Sequence, residues 1–109
     1  MRFEGIYTPV ITPHRDDGSI DRDAFAAQIE YLIDAGVHGL INGGSTGEYY
    51  AQSMAERIEM ATLAKEIIGG RVPLMVGTVA IRLEDSITMA ETAAKIGAEC
   101  ILVGSPPYS

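Results

Sequence analysis

The stretch AGVHGLING at Ala35–Gly43 recurs in pattern as IGAECILVG at Ile96–Gly104. Each copy reads as a helix end, a glycine suited to a helix C-terminus, two linking residues, a short buried strand and a further glycine. Units of this kind that recur at intervals of about 30 residues are βαβ units, in which successive strands run parallel. The repeat therefore predicts an α/β fold built from parallel strands.

The remainder of the chain alternates strand and helix patterns in the same way. Asp21 and the capping box of Ser53 and Glu56 mark the starts of the first two helices, and glycines follow the ends of all three. The predicted strands are Ile6–Thr12, Gly39–Asn42, Pro73–Thr78 and Cys100–Val103. The apolar residues at helical spacing are Phe25, Ile29, Leu32 and Ile33, then Met60, Leu63, Ala64 and Ile67, then Leu83, Ile87, Ala90 and Ala94.

This pattern fits either a doubly wound sheet or part of a (β/α)8 barrel, because both are made of parallel βα units. No linker or shift of composition divides the 109 residues, so one domain over 1–109 is expected. A complete barrel needs about 250 residues, and these residues would form about its first half, with the remainder absent. Such a piece would expose unpaired strand edges at both ends.

The amino-acid composition argues against some classes of binding partner. The net charge is −7 without a basic run, so neither nucleic acid nor an anionic membrane surface is expected as a partner. The single cysteine, Cys100, lies in an apolar run and is expected to be a buried structural thiol in a reducing compartment. The N-terminus lacks the pattern of a signal peptide and no apolar run approaches a membrane span, so a cytoplasmic protein is expected.

The candidate site is the loop Gly43–Glu48, which follows an apolar strand directly. Its glycines let the backbone close around a ligand, and Ser45 and Thr46 place hydroxyl groups beside backbone N–H groups. Ligands bind at the carboxyl ends of the strands in both candidate folds. The loop therefore favours a small carboxylate or phosphate, although Ser45 and Thr46 serving only as turn residues stays open.

Other chemistries are poorly supported by the sequence. No set of His, Cys, Asp and Glu has the spacing of metal ligands, and most acidic residues fall on predicted helix faces rather than in pairs at strand ends. The loop also departs from the dinucleotide fingerprint, because Gly47 is not followed at once by a helix. His14 is expected on a surface loop, with a place in the site left open, and His38 in a structural role. Glu48 is expected to fix the loop or to cap the following segment rather than to act as a base. Lys65 and Lys95 lie on predicted helices away from the strand ends, so neither is expected to be a nucleophile.

Four segments resemble the dihydrodipicolinate synthase / N-acetylneuraminate lyase family, in order and over the whole chain. They are Gly5–Pro13, Asp17–Asp21, Gly43–Glu48 and Val103–Tyr108. The continuation of the loop through Gln52-Ser53 and Glu56-Arg57 is more similar to the sugar-acid lyases and dehydratases than to the lysine-pathway synthase. The resemblance implies a (β/α)8 barrel, commonly a homotetramer, that forms a Schiff base between a lysine and a 2-keto acid such as pyruvate.

The resemblance also implies roles for individual residues. Gly44, Ser45 and Thr46 would bind the substrate carboxylate, and Ser45 would join a proton relay as a catalytic residue. Tyr108 matches the family tyrosine that is lent to the active site of a neighbouring subunit. No metal or cofactor is expected. The Schiff-base lysine belongs to later strands beyond Ser109, so the isolated chain is expected to be inactive.

Two functions of different kinds fit these residues. The first is part of a Schiff-base-dependent lyase, aldolase or dehydratase that acts on pyruvate or a related 2-keto sugar acid. The alternative is a non-catalytic half-barrel whose strand edges pair with another half-barrel as an interaction module. Adduct formation with a keto acid would separate the two.

Overall fold

Parallel strands and helices alternate along the chain in the computed structural model, which describes residues 5–44 and 46–104. A one-turn 3₁₀ helix at Tyr49–Ala51 follows the second strand. The strands are β1 (Tyr7–Pro9), β2 (Gly39–Asn42), β3 (Leu74–Gly77) and β4 (Cys100–Leu102), and the helices are α1 (Arg22–Asp34), α2 (Met54–Ile68) and α3 (Leu83–Ile96). The prediction of parallel βα units is confirmed.

The strand order decides between the two folds that the sequence left open. The sheet runs β1-β2-β3-β4, all parallel, with Thr8 paired to Leu40 and Leu40 paired to Leu74. Crossovers between parallel strands are right-handed, so a sheet that grows in one direction keeps all its helices on one face. A doubly wound sheet reverses direction and carries helices on both faces. The order therefore favours the barrel.

The core lies between the sheet and the three helices. Leu40 and Leu74 point into it from the strands, and both are almost fully buried. The helices contribute Phe25 and Ile29 from α1, Met60, Ala61, Ala64 and Ile68 from α2, and Met89 and Ala93 from α3. On the opposite face, Ile41 and Met75 are half-buried and Leu102 is exposed, because none of the described elements covers that face.

The helix starts agree with the sequence. The Asp21 carboxylate accepts a hydrogen bond from the Ala24 amide at 3.0 Å. Ser53 and Glu56 form a complete capping box, in which each side chain accepts from the other residue's backbone N–H. Each cap satisfies N–H groups that have no partner within the helix. These caps fix where the loops before α1 and α2 end.

β1 is shorter than predicted, because the sequence favoured a strand over Ile6–Thr12. The Gln28 side chain of α1 binds both backbone groups of Ile11, accepting from its N–H at 2.8 Å and donating to its carbonyl at 3.1 Å. These groups are therefore taken by a helix rather than by a neighbouring strand. The chain leaves the sheet after Pro9, although the Val10 amide still donates to the Ile41 carbonyl at 2.9 Å.

The prediction of which face of α3 is buried is wrong for the described residues. Met89 and Ala93 are buried against the sheet, whereas Leu83 and Ile87 are 69% and 50% exposed. Ala94 is exposed as well. Of the four residues in the predicted face, only Ala90 is half-buried, so the described elements leave most of that face open.

Candidate active site

The loops that follow the strands meet at one edge of the sheet, because all four strands run in the same direction. Gly43–Glu48 follows β2 and lies between the segment after β1 and the end of β3. Thr12 and Thr78 are both buried at this edge. The edge therefore gathers hydroxyl groups and glycine-rich backbone, the pattern that the sequence pointed to.

The loop has a tightly turned backbone. Gly43 has φ +80°, and the Gly47 amide donates to the Gly44 carbonyl at 3.1 Å, which closes a turn. Glu48 has φ +58° and ψ +44°, a left-handed conformation that costs most side chains about 1–2 kcal/mol. Its side chain makes no capping hydrogen bond to the 3₁₀ helix that follows. The surroundings must hold the loop in this shape, since residue preference alone would not.

Side chains from two other segments hold the loop against β1. The Thr12 hydroxyl donates to the Gly47 carbonyl at 2.7 Å. The Gln52 side-chain amide donates to the Thr12 hydroxyl at 2.8 Å and to the Gly47 carbonyl at 3.0 Å. Gly47 is buried there, and a Cβ on it would lie 3.1 Å from the Val10 carbonyl oxygen.

On its other side the loop lies directly against β3. A Cβ on Gly77 would lie 2.8 Å from the Gly43 carbonyl carbon, closer than real side chains approach backbone. Only glycine fits at position 77. The Arg57 guanidinium donates to the Gly77 carbonyl at 3.0 Å, which ties the end of β3 to α2.

Arg57 is the least expected residue of this region, since it is a helix arginine only 4% exposed. Burial lowers the pKa of Arg57, while the nearby Tyr49 and Asp85 act in the opposite direction. The guanidinium stays charged, because arginine has a very high reference pKa. It lies 5.0 Å from the centre of the Tyr49 ring, a cation–π distance, and its buried Nε has no hydrogen-bond partner among the described residues.

A cavity of about 260 Å³ opens beside Arg57, on the α2 side of the loop. Its walls combine aromatic rings with the Arg57 guanidinium and the Asp85 carboxylate. The lining residues are Tyr49, Tyr50, Gln52, Ser53, Met54, Arg57, Ala80, Ile81 and Asp85. The Tyr49 and Tyr50 rings meet edge to face at 5.6 Å, which gives this wall a defined shape.

The predicted substrate-binding residues lie where the sequence put them, in so far as the structure describes them. Gly44 is half-buried and Thr46 is exposed, both within the loop at the carboxyl edge. Ser45 and Tyr108, the two predicted catalytic residues, lie outside the described residues. The roles of all four stay predictions.

The two histidines and the two lysines lie in the surroundings that the sequence predicted. His14 is exposed and pairs with Ile20 in an isolated β-bridge. His38 lies at the amino end of β2, where its Nδ1 accepts from the Ile6 amide at 2.8 Å, so its structural role is confirmed. Lys65 binds the Glu99 carboxylate at 3.0 Å at the amino edge, and Lys95 is exposed near the end of α3.

Sequence reasoning missed the side chains that hold the loop. In the sequence Thr12 is only a strand end, and Gln52 and Arg57 are only part of the resemblance. A polar residue inside an apolar helix face is the signal that marks Arg57, since a buried charge needs a partner.

Among residues 5–44 and 46–104 no group of three or more His, Cys, Asp or Glu side chains is placed to bind a metal ion. None of the described helices is long and apolar enough to cross a membrane.

Known proteins are similar to this chain in sequence and in fold. The chain is 38% identical over 108 residues to the 4-hydroxy-tetrahydrodipicolinate synthase of Stenotrophomonas maltophilia strain R551-3, covering 99% of the chain and 36% of that protein. It is 37% identical over 110 residues to the N-acetylneuraminate lyase of Rhizobium meliloti strain 1021, covering 99% of the chain and 36% of that protein. The chain thus spans only about a third of the length of these relatives.

The fold comparison agrees. The crystal structure of YagE, a prophage protein of the dihydrodipicolinic acid synthase family from E. coli K12 in complex with pyruvate, superposes with a TM-score of 0.94 at 37% identity. The match covers 98% of this chain and 36% of that one. The structural neighbours are (β/α)8 barrels, so the predicted fold class is confirmed, with a share of length nearer a third than the expected half. The model of the dihydrodipicolinate synthetase family matches residues 2–109, and the chain belongs to that family.

Proposed function

We propose that this chain is the amino-terminal part of a single barrel domain in a Schiff-base-dependent lyase, an aldolase or dehydratase that acts on pyruvate or a related 2-keto sugar acid. The observation that carries the proposal is the glycine loop at the carboxyl edge of a parallel sheet, where Gly47 is bound by Thr12 and Gln52 and Gly43 lies against Gly77. A solved relative with the same arrangement of strands is a complex with pyruvate. The relatives named as lyases favour catalysis over the interaction module.

The loop suits the carboxylate of a keto acid. Gly44 and Thr46, with Ser45 between them, offer backbone N–H groups and hydroxyls to the two carboxylate oxygens. Anchoring the carboxylate there orients the adjacent keto carbon for attack by an amine. In this proposal Ser45 also passes protons, and Tyr108 completes the relay in a neighbouring subunit of a cytoplasmic homotetramer.

The covalent step needs a lysine that this chain does not place at the site. The amine nitrogen bonds to the keto carbon, and the keto oxygen leaves as water once it has been protonated. The chain has two lysines, Lys65 and Lys95. Lys65 binds Glu99 at the opposite edge of the sheet, and Lys95 lies on the outer helix layer. The nucleophile therefore comes from outside these 109 residues, and the isolated chain is inactive.

Reductive trapping tests the proposal. The natively produced protein is incubated with pyruvate and borohydride, and its intact mass is measured. We expect a chain near three times 11.6 kDa that gains the mass of one reduced pyruvate. Lactate is the matched control, because it has the same carboxylate but no keto carbon.

A native product of 11.6 kDa that gains no mass would contradict catalysis by this product and leave the interaction module as the remaining hypothesis. A full-length product that gains mass equally with lactate would show non-specific modification. Mapping the adduct to a lysine after position 109 would locate the nucleophile.

A further inference from the structure

The Gly47 carbonyl is bound by two side chains from outside the loop, Thr12 from the segment after β1 and Gln52 from the segment before α2. It accepts from the Thr12 hydroxyl at 2.7 Å and from the Gln52 amide at 3.0 Å. Gln52 also donates to the Thr12 hydroxyl at 2.8 Å, which closes a triangle of three hydrogen bonds. We call Thr12, Gly47 and Gln52 the loop clamp.

Every side-chain donor of the clamp has an acceptor within it. The Thr12 hydroxyl donates its one proton to Gly47 and accepts one from Gln52. The two N–H bonds of the Gln52 amide are both used, one on each acceptor. Thr12 is only 6% exposed, so water does not replace these bonds easily. The triangle therefore specifies one orientation of the Gly47–Glu48 peptide.

Fixing this peptide fixes the loop on both sides of it. A trans peptide points its C=O and N–H in opposite directions, so a carbonyl held toward Thr12 directs the Glu48 N–H away from it. Glu48 itself is in the left-handed region, and Gly43 at the other end of the loop also has a positive φ. The contact of Gly43 with Gly77 prevents the loop from moving toward β3. The loop is thus held between β1 and β3.

We propose that Thr12 and Gln52 are positioning residues for the keto-acid carboxylate, which they do not themselves touch. The inference rests on the proposed function. Donors that are already in place when the substrate arrives bind a charged group better than donors that must first reorganise. Losing the clamp weakens the binding of the substrate carboxylate, so KM rises by a larger factor than kcat falls, the fall in kcat coming from Ser45 of the same loop.

Two substitutions remove the clamp with little change of shape. Thr12→Val replaces the hydroxyl with a methyl group, and Gln52→Glu turns the donor amide into a carboxylate that faces the Gly47 carbonyl. Thr12→Ser keeps the hydroxyl and recovers most of the loss. The matched control is Thr62→Val on α2, which removes a hydroxyl-to-carbonyl bond of 2.8 Å to Ile58, far from the loop.

The experiment measures KM for pyruvate, kcat and the borohydride-trapped adduct in the native-length protein and these variants. We expect Thr12→Val and Gln52→Glu to raise KM about tenfold or more, with an adduct still forming at saturating pyruvate. Thr62→Val, which removes a hydroxyl far from the loop, leaves KM near that of the unmodified protein.

Two results would overturn the inference in different ways. If the unmodified protein forms the adduct and the clamp variants share the KM of Thr62→Val, the clamp has no positioning role and the proposed function stands. If the unmodified protein forms no adduct with pyruvate, the proposed function fails and the positioning role fails with it.

Discussion

Gly77→Ala tests the close approach of the loop to β3. The new Cβ would lie 2.8 Å from the Gly43 carbonyl carbon and 3.2 Å from the Gly44 nitrogen. Ordinary contact begins at 3.4 Å, so the backbone must separate by about 0.6 Å or more. Both neighbours are backbone atoms that cannot rotate away, unlike the end of a flexible side chain. We expect the overpacking to destabilise the protein by about 1–3 kcal/mol.

Gly44→Ala is the matched control for this variant. A Cβ there would meet only the Ile41 side chain at 3.8 Å, an ordinary contact. Both substitutions stiffen the unfolded chain, which stabilises each variant by about 0.4–1 kcal/mol. The difference between the two variants therefore isolates the steric cost at position 77.

Urea unfolding followed by circular dichroism measures that difference. We expect the free energy of unfolding of Gly77→Ala to lie about 1–3 kcal/mol below that of Gly44→Ala, with an unchanged m value. Equal stability of the two variants would refute the reasoning, because it would mean that the loop can move away from β3 at little cost.

Three further predictions concern the rest of the chain. Burial alone would raise the pKa of Glu99, but hydrogen bonds from the Leu74 amide and Lys65 outweigh it and lower this pKa on balance. The Glu99 carboxylate therefore stabilises the fold above its unfolded pKa. That stabilisation is lost as the pH falls through the lower folded pKa. Acid unfolding monitored by fluorescence or circular dichroism should show Glu99→Gln less stable at pH 7 and equally stable at pH 2, whereas an equal loss at both values would contradict the assignment. The Cys100 thiol is half-buried rather than buried as predicted. Its partial burial, followed by the charge of Glu99, raises its pKa, so alkylation by iodoacetamide at pH 8 should be slower than that of free cysteine. Equal rates would argue against a shielded thiol. Glu48→Gly should stabilise the protein by about 1 kcal/mol in urea unfolding by relieving the left-handed backbone, and a loss of stability would show that the Glu48 side chain holds the loop.

Local signals predicted the elements well, because each depends on neighbours in sequence. The capping box at Ser53 and the strand Gly39–Asn42 agree with the structure residue for residue. The end of β1 was not predictable in the same way, since it depends on Gln28, which reaches Ile11 from 17 residues away. The α3 face was misjudged because periodicity locates an apolar face without showing which neighbour covers it.

In the candidate site, too, the features set by neighbouring residues were predictable and those set by distant contacts were not. Glycine and hydroxyl residues at a strand end identified the loop from sequence alone. Thr12, Gln52 and Arg57 could not be found by spacing. Gln52 binds Thr12 from 40 residues away and Arg57 binds Gly77 from 20 residues away, and only the fold makes these contacts. Gly77 likewise is one glycine among 12 until the structure places it against Gly43.

Under the proposed function, the placement of the two lysines constrains where the amine nucleophile lies. The helices cover one face of the sheet, and Lys65 and Lys95 belong to that layer or to the amino edge. A keto acid bound there as proposed would have its reactive carbon beyond the carboxyl edge, away from both amines. The opposite face of the sheet carries the half-buried Ile41 and Met75, and no described element covers it. Under the proposed function, polypeptide that packs on this open face completes the barrel and also brings the amine to the substrate, so folding of the whole domain and assembly of the active site are one event.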